Sequence, residues 1–272
     1  MAAAKTAVVT GSTDGLGRMV ATRLATEHGY RVIVHGRDRA RGQAVAETIA
    51  RAGGEATFIA ADFAALAEVR KFAADVDAAC PRIDLLINNA GIGGGGTTGK
   101  RQESRDGHEL RFAVNYLAGF LLTRLLLGKI KANPPARIIN VSSLGQQEIE
   151  FDDVMLTRGY SGTRAYCQSK LAQILFTFDL AEELKGSGVT ANCLHPATYM
   201  DTTMVRQSGV NPWSTVEQGA DAVMNLALTP QFASESGPFF DELRRARPNA
   251  QAFDEKAREQ LRTLSRTVTG SG

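Results

Sequence analysis

Short β-branched runs alternate with longer helical segments from the start of the chain, and this alternation restricts the fold more than any other feature. Lys5 to Thr10, Arg31 to His35, Ala56 to Ala60, Ile83 to Asn88, Arg137 to Ser142 and Val189 to Leu194 read as strands. Between them, Gly15 to Glu27, Arg39 to Arg51 and about Ala64 to Ala79 carry apolar residues at helical spacing, as at Leu16, Met19, Val20 and Leu24. Short apolar strands joined by helices require right-handed crossovers and a parallel sheet covered on both faces. A doubly wound, Rossmann-like α/β domain is therefore expected over residues 1–248. A C-terminal helix and tail is expected over 249–272, where Phe253, Ala257, Leu261 and Leu264 recur at helical spacing. The alternation lapses near residue 200. Met200 to Ser214 mixes Thr, Met, Gln, Gly, Asn, Pro and the only Trp, so a mobile, irregular substrate lid is expected over about 198–216.

Charge and cysteine usage exclude several function classes. The 31 basic and 29 acidic side chains leave a net charge of +2, with the signs interleaved, so no footprint for nucleic acid is present. Cys80, Cys167 and Cys193 lie far apart without metal-ligand spacing, which points to reduced thiols in a cytoplasm and to no metal site. The opening MAAAKTAVV gives way to strand-like sequence too soon for a secretory signal. The oily stretch Phe112 to Leu127 contains Asn115, Thr123 and Arg124 and suits a buried helix better than a membrane span. Gly93 to Gly96 lacks the Lys-Ser/Thr of a phosphate loop and is expected to be a flexible connection.

Chemistry-bearing residues fall where strands end. The first strand-to-helix turn reads Thr10-Gly11-Ser12-Thr13-Asp14-Gly15-Leu16-Gly17. Glycines there permit a tight turn and close approach of backbone to a pyrophosphate, which the helix N-terminus stabilises. The second strand ends at His35-Gly36-Arg37, where an acidic residue would hold ribose hydroxyls and Arg instead suits a 2′-phosphate. Asp38 offers a competing carboxylate one residue on. Asp62 and Asn88-Asn89-Ala90-Gly91 follow the third and fourth strands on the same edge and read as a cofactor rim. Tyr166 and Lys170, four apart in a helix, share a face, so the ammonium can favour the tyrosinate. Ser142 and Ser143 end the fifth strand and can place a hydroxyl beside a carbonyl. His195 reads as a packed, hydrogen-bonded residue or as a wall of the nicotinamide pocket, and Cys167 as packing.

Together these residues resemble the short-chain dehydrogenase/reductase family over roughly residues 5–200: TGxxxGxG at Thr10 to Gly17, NNAG at Asn88 to Gly91, Asn115 in VNYLAGF, the Ser142-Ser143 pair and YxxxK at Tyr166 to Lys170. The segment FDDVMLTRGYSGTRAYCQSKLAQILF and the end GPFFDELRRARPNAQAFDEKAREQL are similar to the retinol-dehydrogenase-like branch and its soluble bacterial ketoreductase relatives. The resemblance implies that Tyr166 donates or accepts the proton, Lys170 binds the nicotinamide ribose and lowers the Tyr166 pKa, Ser143 polarises the carbonyl, and Asn115 holds a water in a proton relay. It further implies that the cofactor lies on Gly11, Ser12, Thr13, Asp14, Gly15, Leu16 and Gly17, on Arg37, on Asp62 and Phe63 at adenine, and on Asn89, Ala90 and Gly91. The family's PGxVxT element is altered to His195-Pro196-Ala197-Thr198-Tyr199-Met200-Asp201-Thr202, so the nicotinamide contact beside Pro196 falls to Thr198 or Thr202. Twenty-two residues separate Ser143 from Tyr166, a long insert that would wall a substrate pocket. The expected activity is NADP(H)-dependent interconversion of a carbonyl and an alcohol, on a bulky hydrophobic or polyketide-type ketone, in a dimer or tetramer. An NAD-dependent alcohol or retinol-type dehydrogenase and a non-catalytic dinucleotide-binding regulator stand as alternatives.

Overall fold

The computed structural model describes residues 4–95 and 100–271. Its frame is one eight-stranded sheet in the order β3-β2-β1-β4-β5-β6-β7-β8. The strands are β1 (Thr6–Val9), β2 (Arg31–Gly36), β3 (Glu55–Ala60), β4 (Leu85–Asn88), β5 (Ala136–Val141), β6 (Val189–His195), β7 (Phe239–Asp241) and β8 (Arg244–Ala246). All neighbours pair in parallel except β7 and β8, whose antiparallel hairpin closes one edge. The order reverses between β1 and β4, and in open α/β sheets that crevice at the strand carboxyl ends is where ligands bind.

Helices cover both faces because the inner strands are apolar on both sides. α1 (Gly15–Thr26), α2 (Arg39–Arg51) and α7 (Val216–Leu228) pack on one face, burying Leu16, Val20, Leu24, Ile49 and Val223 against Val9, Val34 and Leu194. On the other face α3 (Leu66–Ala79), α4 (Ala118–Lys131) and α5 (Gly162–Glu183) enclose Phe72, Phe112, Tyr116, Leu121 and Leu175. α8 (Glu255–Thr269) lies over α5 through Ala257 and Leu261, with Tyr116 Oη 2.7 Å from Ser265 Oγ. The stretch Phe112–Lys131 is long and apolar enough to cross a membrane by length and composition, yet two-thirds of its apolar window is buried inside the protein.

Three expectations need correction. The element pattern does not lapse at residue 200, because α7, β7 and β8 follow; the last two are three-residue strands, too short to announce themselves by periodicity. Within the expected irregular segment a short helix, α6 (Thr203–Gln207), is capped by Thr202, and Met200 bridges to Ser214. In the Gly93–Gly96 run, Gly96 lies outside the described residues, but Gly93 and Gly94 are held. The Gly93 carbonyl accepts from Arg111 Nε at 3.0 Å, and a Cβ on Gly94 would stand 3.2 Å from the Gly162 carbonyl oxygen.

Candidate active site

The glycine turn after β1 is fixed by His35 on β2 and by the residues that follow β4. Thr10 Oγ1 accepts from the Asn89 and Ala90 amides at 2.9 and 3.0 Å, and Asn89 Nδ2 donates to the Thr10 and Gly11 carbonyls at 2.8 and 3.1 Å. Gly11 and Gly15 adopt positive φ of 64° and 47°, which other residues resist. A Cβ on Gly11 would lie 2.7 Å from the Ala90 Cα, and one on Gly17 would overlap the Gly11 carbonyl and the Asn89 amide. The backbone thus comes bare to the start of α1, as close approach of a pyrophosphate requires. Leu16 adds only its backbone there, since its side chain is buried in the core. Asp14 caps α1, accepting from Gly15 N at 2.8 Å, and its other oxygen takes a hydrogen bond from Thr203 at 2.7 Å, which lowers its pKa.

Two side chains expected at the cofactor turn inward instead. The Ser12 hydroxyl is fully buried, donating to the Val9 carbonyl at 2.7 Å and accepting from the His35 amide at 2.9 Å, so it ties β1 to β2. The Phe63 ring is buried against His35, with centroids 4.0 Å apart, leaving only its backbone at the rim. Asp62 accepts from Ala64 N at 3.1 Å and stays partly open. Asp38 is the cap of α2: its carboxylate accepts from Arg41 N at 3.0 Å and faces the Arg41 guanidinium at 3.5 Å. Arg37 is exposed just beyond Gly36, and Gly36 itself packs on Thr13, since an added Cβ would lie 2.5 Å from Thr13 Cγ2. Arg41 also acts on Asp14 electrostatically.

Four polar side chains converge where β4, β5 and α5 meet. Lys170 is buried and donates to the Val141 carbonyl at 2.9 Å and to Gln173 Oε1 at 3.1 Å. Its Nζ lies 5.8 Å from the Tyr166 ring centre, and burial pushes its pKa down to about 7. Burial also raises the Tyr166 phenol, against which the Ser143 hydroxyl works. A Cβ on Gly145 would stand 3.4 Å from both Ser143 Oγ and Cys167 Sγ and 3.6 Å from Tyr166 Cε1; one on Gly91 would stand 3.3 Å from Asn115 Oδ1 and 3.7 Å from Lys170 Nζ. The Ser143–Tyr166 pair at Gly145 and the Asn115–Lys170 pair at Gly91 are therefore neighbours, linked by Lys170 Nζ beside the Tyr166 ring. Of the serine pair, Ser142 is buried with its hydroxyl given to the Lys170 carbonyl at 2.8 Å, which leaves Ser143 for the site.

Asn115 sits in a π-helical turn, Phe112–Leu117, that leads into α4. Such turns are rare and often occur at functional sites. Its Oδ1 accepts from Ile92 N at 2.7 Å, while Nδ2 donates to the Ile92 carbonyl at 3.1 Å and to Ser169 Oγ at 3.0 Å. Both Nδ2 hydrogens and one Oδ1 lone pair are thus given to protein, joining the loop after β4 to α5. At the end of β6 His195 Nε2 lies 3.0 Å from Thr198 Oγ1, and burial lowers the His195 pKa. Pro196 is buried. Thr202 packs on the glycine turn, its methyl 3.0 Å from where a Gly15 Cβ would be, so Thr198 and Thr202 stand on different parts of the crevice.

The comparisons with known proteins agree with this geometry. The family described as short chain dehydrogenase matches residues 5–212. The chain belongs to that family. Retinol dehydrogenase 13 of Homo sapiens is 38% identical over 286 residues, covering 98% of this chain and 85% of that protein. A Mycobacterium paratuberculosis protein of known structure superposes with a TM-score of 0.79 at 30% identity over 98% and 93% of the two chains. RhlG of Pseudomonas aeruginosa, solved as an NADP active-site complex, superposes with a TM-score of 0.72 at 28% identity, over 88% of this chain and 95% of RhlG. This short-chain dehydrogenase is accordingly an oxidoreductase of the retinol-dehydrogenase-like kind, and its bare glycine turn fits a nicotinamide dinucleotide.

Two features of the dehydrogenase site depend on contacts that no local sequence pattern signals. Arg41 beside Asp38 and Asp14 was visible only as the third Arg of a basic run. The loop after Ser143 is framed by the C-terminal segment. Gln146 Nε2 donates to the Ser143 carbonyl at 2.9 Å and Gln146 Oε1 accepts from Asn249 N at 2.7 Å. Gln251 meets the Ile149 backbone at both its amide and its carbonyl, at 2.8 and 3.1 Å. No local spacing signals a partner some hundred residues away.

Proposed function

We propose that this short-chain dehydrogenase interconverts a carbonyl and an alcohol with NADP(H), with Ser143, Tyr166, Lys170 and Asn115 as its working set and a bulky hydrophobic ketone as its preferred substrate. The observation that carries the reading is the convergence of Ser143 and Tyr166 about Gly145, with Lys170 and Asn115 meeting at Gly91 behind them. Bound there, the nicotinamide would supply or accept the hydride. In the reducing direction the Ser143 and Tyr166 hydroxyls both donate to the substrate oxygen, holding the charge that develops on it. Tyr166 then passes its proton to that oxygen. Lys170, when charged, favours the tyrosinate left behind and would be the residue to hold a nicotinamide ribose hydroxyl. Asn115 keeps Ile92 and Ser169 in register with the helix bearing these two groups.

Cofactor choice follows the end of β2. Asp38 is engaged as the α2 cap with Arg41 on its carboxylate, while Arg37 is exposed at the end of β2, a setting that suits a 2′-phosphate. The exposed Tyr199, Met204 and Trp213 give the substrate side an apolar rim. The place of Phe112–Lys131 in the core supports its reading as a buried helix and not as a membrane span.

Tyr166→Phe decides the catalytic part. Turnover should fall by about 10²- to 10⁴-fold, the usual worth of a positioned acid, with dinucleotide affinity retained. A purified variant with wild-type kcat across ketones, aldehydes, retinoids and secondary alcohols would remove Tyr166 from the reaction. Dinucleotide binding by wild type with no turnover anywhere in that panel would instead favour a regulator. For cofactor choice, Arg37→Ala should weaken NADPH by roughly 10- to 150-fold, the range for a hydrogen bond to a charged group, and change NADH little. Equal wild-type affinity for both cofactors, untouched by the substitution, would overturn NADP(H). Arg37 is the better position to alter, since any side chain at Gly36 presses on Thr13.

A further inference from the structure

His35, the penultimate residue of β2, is a buried polar side chain that the catalytic scheme does not use. Its Nδ1 accepts from the Gly11 amide at 2.9 Å. The ring proton is therefore on Nε2, which faces the Ala61 backbone without a hydrogen bond of good geometry. The ring is tilted onto Phe63 at 4.0 Å and Phe72 at 4.7 Å between centroids. An aliphatic residue would fill this space without a poorly satisfied nitrogen, so the lone pair on Nδ1 is the property an imidazole adds. Burial pushes the His35 pKa down to about 3 against the opposing pull of the Ala61 backbone and Asp62, which keeps Nδ1 unprotonated and able to accept from Gly11 at neutral pH.

What the ring touches decides its use. On one side is Gly11, which at φ 64° turns the chain toward the start of α1. With its amide given to His35 and its carbonyl to Asn89, Gly11 offers no competing polar group, and the turn presents the amides that follow. On the other side is Phe63, which with Asp62 forms the rim after β3. We infer that His35 is a positioning residue for the dinucleotide, one ring that sets the Gly11 peptide of the pyrophosphate turn and seats the Asp62–Phe63 rim on the adenine side. The inference rests on the dinucleotide reading above.

Two substitutions separate the parts of the ring. His35→Phe keeps an aromatic face for Phe63 and removes the acceptor. His35→Asn keeps an acceptor near the Nδ1 position and removes the aromatic face. Titrated with NADPH and with NADH, His35→Phe should lose on the order of tenfold in affinity for both, as expected for a half-buried amide left without its acceptor. His35→Asn should recover most of that loss, although it is the smaller residue in a packed core. Wild-type affinity in His35→Phe, or equal losses in the two variants, would overturn the assignment, since equal losses are what packing alone produces. A ligand-free measurement separates this from the dinucleotide reading. In uniformly ¹⁵N-labelled wild type, a coupling across the hydrogen bond between the Gly11 nitrogen and His35 Nδ1 should be observed. Its absence removes the pin whatever the protein binds and decides the matter should His35→Phe not fold. With the coupling present, a wild type that binds neither NADPH nor NADH overturns the dinucleotide reading and the positioning role with it.

Discussion

The glycine turn and the segment from Tyr199 to Ser214 face the same crevice but are held in different ways. Around the turn, Thr10, Ser12, His35 and Asn89 exchange hydrogen bonds among β1, β2 and β4, and most of these atoms are shielded from water. The Tyr199–Ser214 segment touches the turn through the Thr202 methyl on Gly15 and a single Thr203–Asp14 hydrogen bond. Met200 reaches inward against Leu16 and Gly219, but Trp213 is 74% exposed, packed edge-on to Tyr199. One side of the crevice is built before any ligand arrives. The other keeps apolar surface that a ligand can cover, so residues there can vary without disturbing the cofactor frame.

The largest test of this contrast is Gly17→Ala. The new methyl would overlap the Gly11 carbonyl and the Asn89 amide, and overpacking of this kind costs about 1–3 kcal/mol of stability. Dinucleotide binding should be lost along with a clear drop in the denaturation midpoint. A stable Gly17→Ala protein with normal affinity would show that the turn is looser than its hydrogen bonds suggest.

Lys170 gives a test of the rigid half through pH. Its folded pKa of about 7 lies below the ordinary 10.5, so between those values the unfolded chain binds the extra proton. Stability from this group must therefore rise as pH climbs from 7 toward 10.5, and the penalty is full below 7. The stability difference between wild type and Lys170→Met should move in favour of wild type from pH 7 to pH 9, measured by denaturant midpoints. A difference that stays level would mean that Lys170 is better solvated than its contacts with Val141 and Gln173 imply. The same variant should bind dinucleotide more weakly and shift the activity profile to higher pH.

Thr203→Val is the smallest change and the one aimed at the exposed half. It removes one hydrogen bond, part-exposed and worth about 0.5–1.5 kcal/mol or less, so global stability should hardly move. Amide exchange across residues 200–214 should quicken, and cofactor with substrate should slow it in wild type. Equal protection with and without ligands would place this segment with the rigid half.

The sequence carried the inner strands and the position of each motif because both depend on local periodicity and on turns with special backbone needs. Tyr166 and Lys170 share α5 as their spacing required. The remaining features arise from distant partners. Ser12 and Phe63 face inward because of what β2 presents to them, which no spacing along the chain reveals. The π-helical turn at Asn115 leaves the apolar pattern of Phe112 to Leu127 unchanged, so it reads as ordinary helix until its hydrogen bonds are seen. β7 and β8 are strands because β6 offers an edge, and their own residues, including Arg244 and Arg245, do not announce it.

The clasp of Gln146 and Gln251 on the loop after Ser143 has a consequence for how the chain matures on the ribosome. Thr10, His35 and Asn89, which lock the glycine turn, are all translated within the first third of the chain. Ser143 is made next, but the amides that frame its loop belong to Asn249 and Gln251. At synthesis rates of roughly 5–20 residues per second, that leaves an interval of about 5–20 seconds. During it the nascent protein has every residue of its nucleotide turn and no finished place for a carbonyl. A ribosome stalled short of Gln251 would carry Ser143 without the amides that frame its loop.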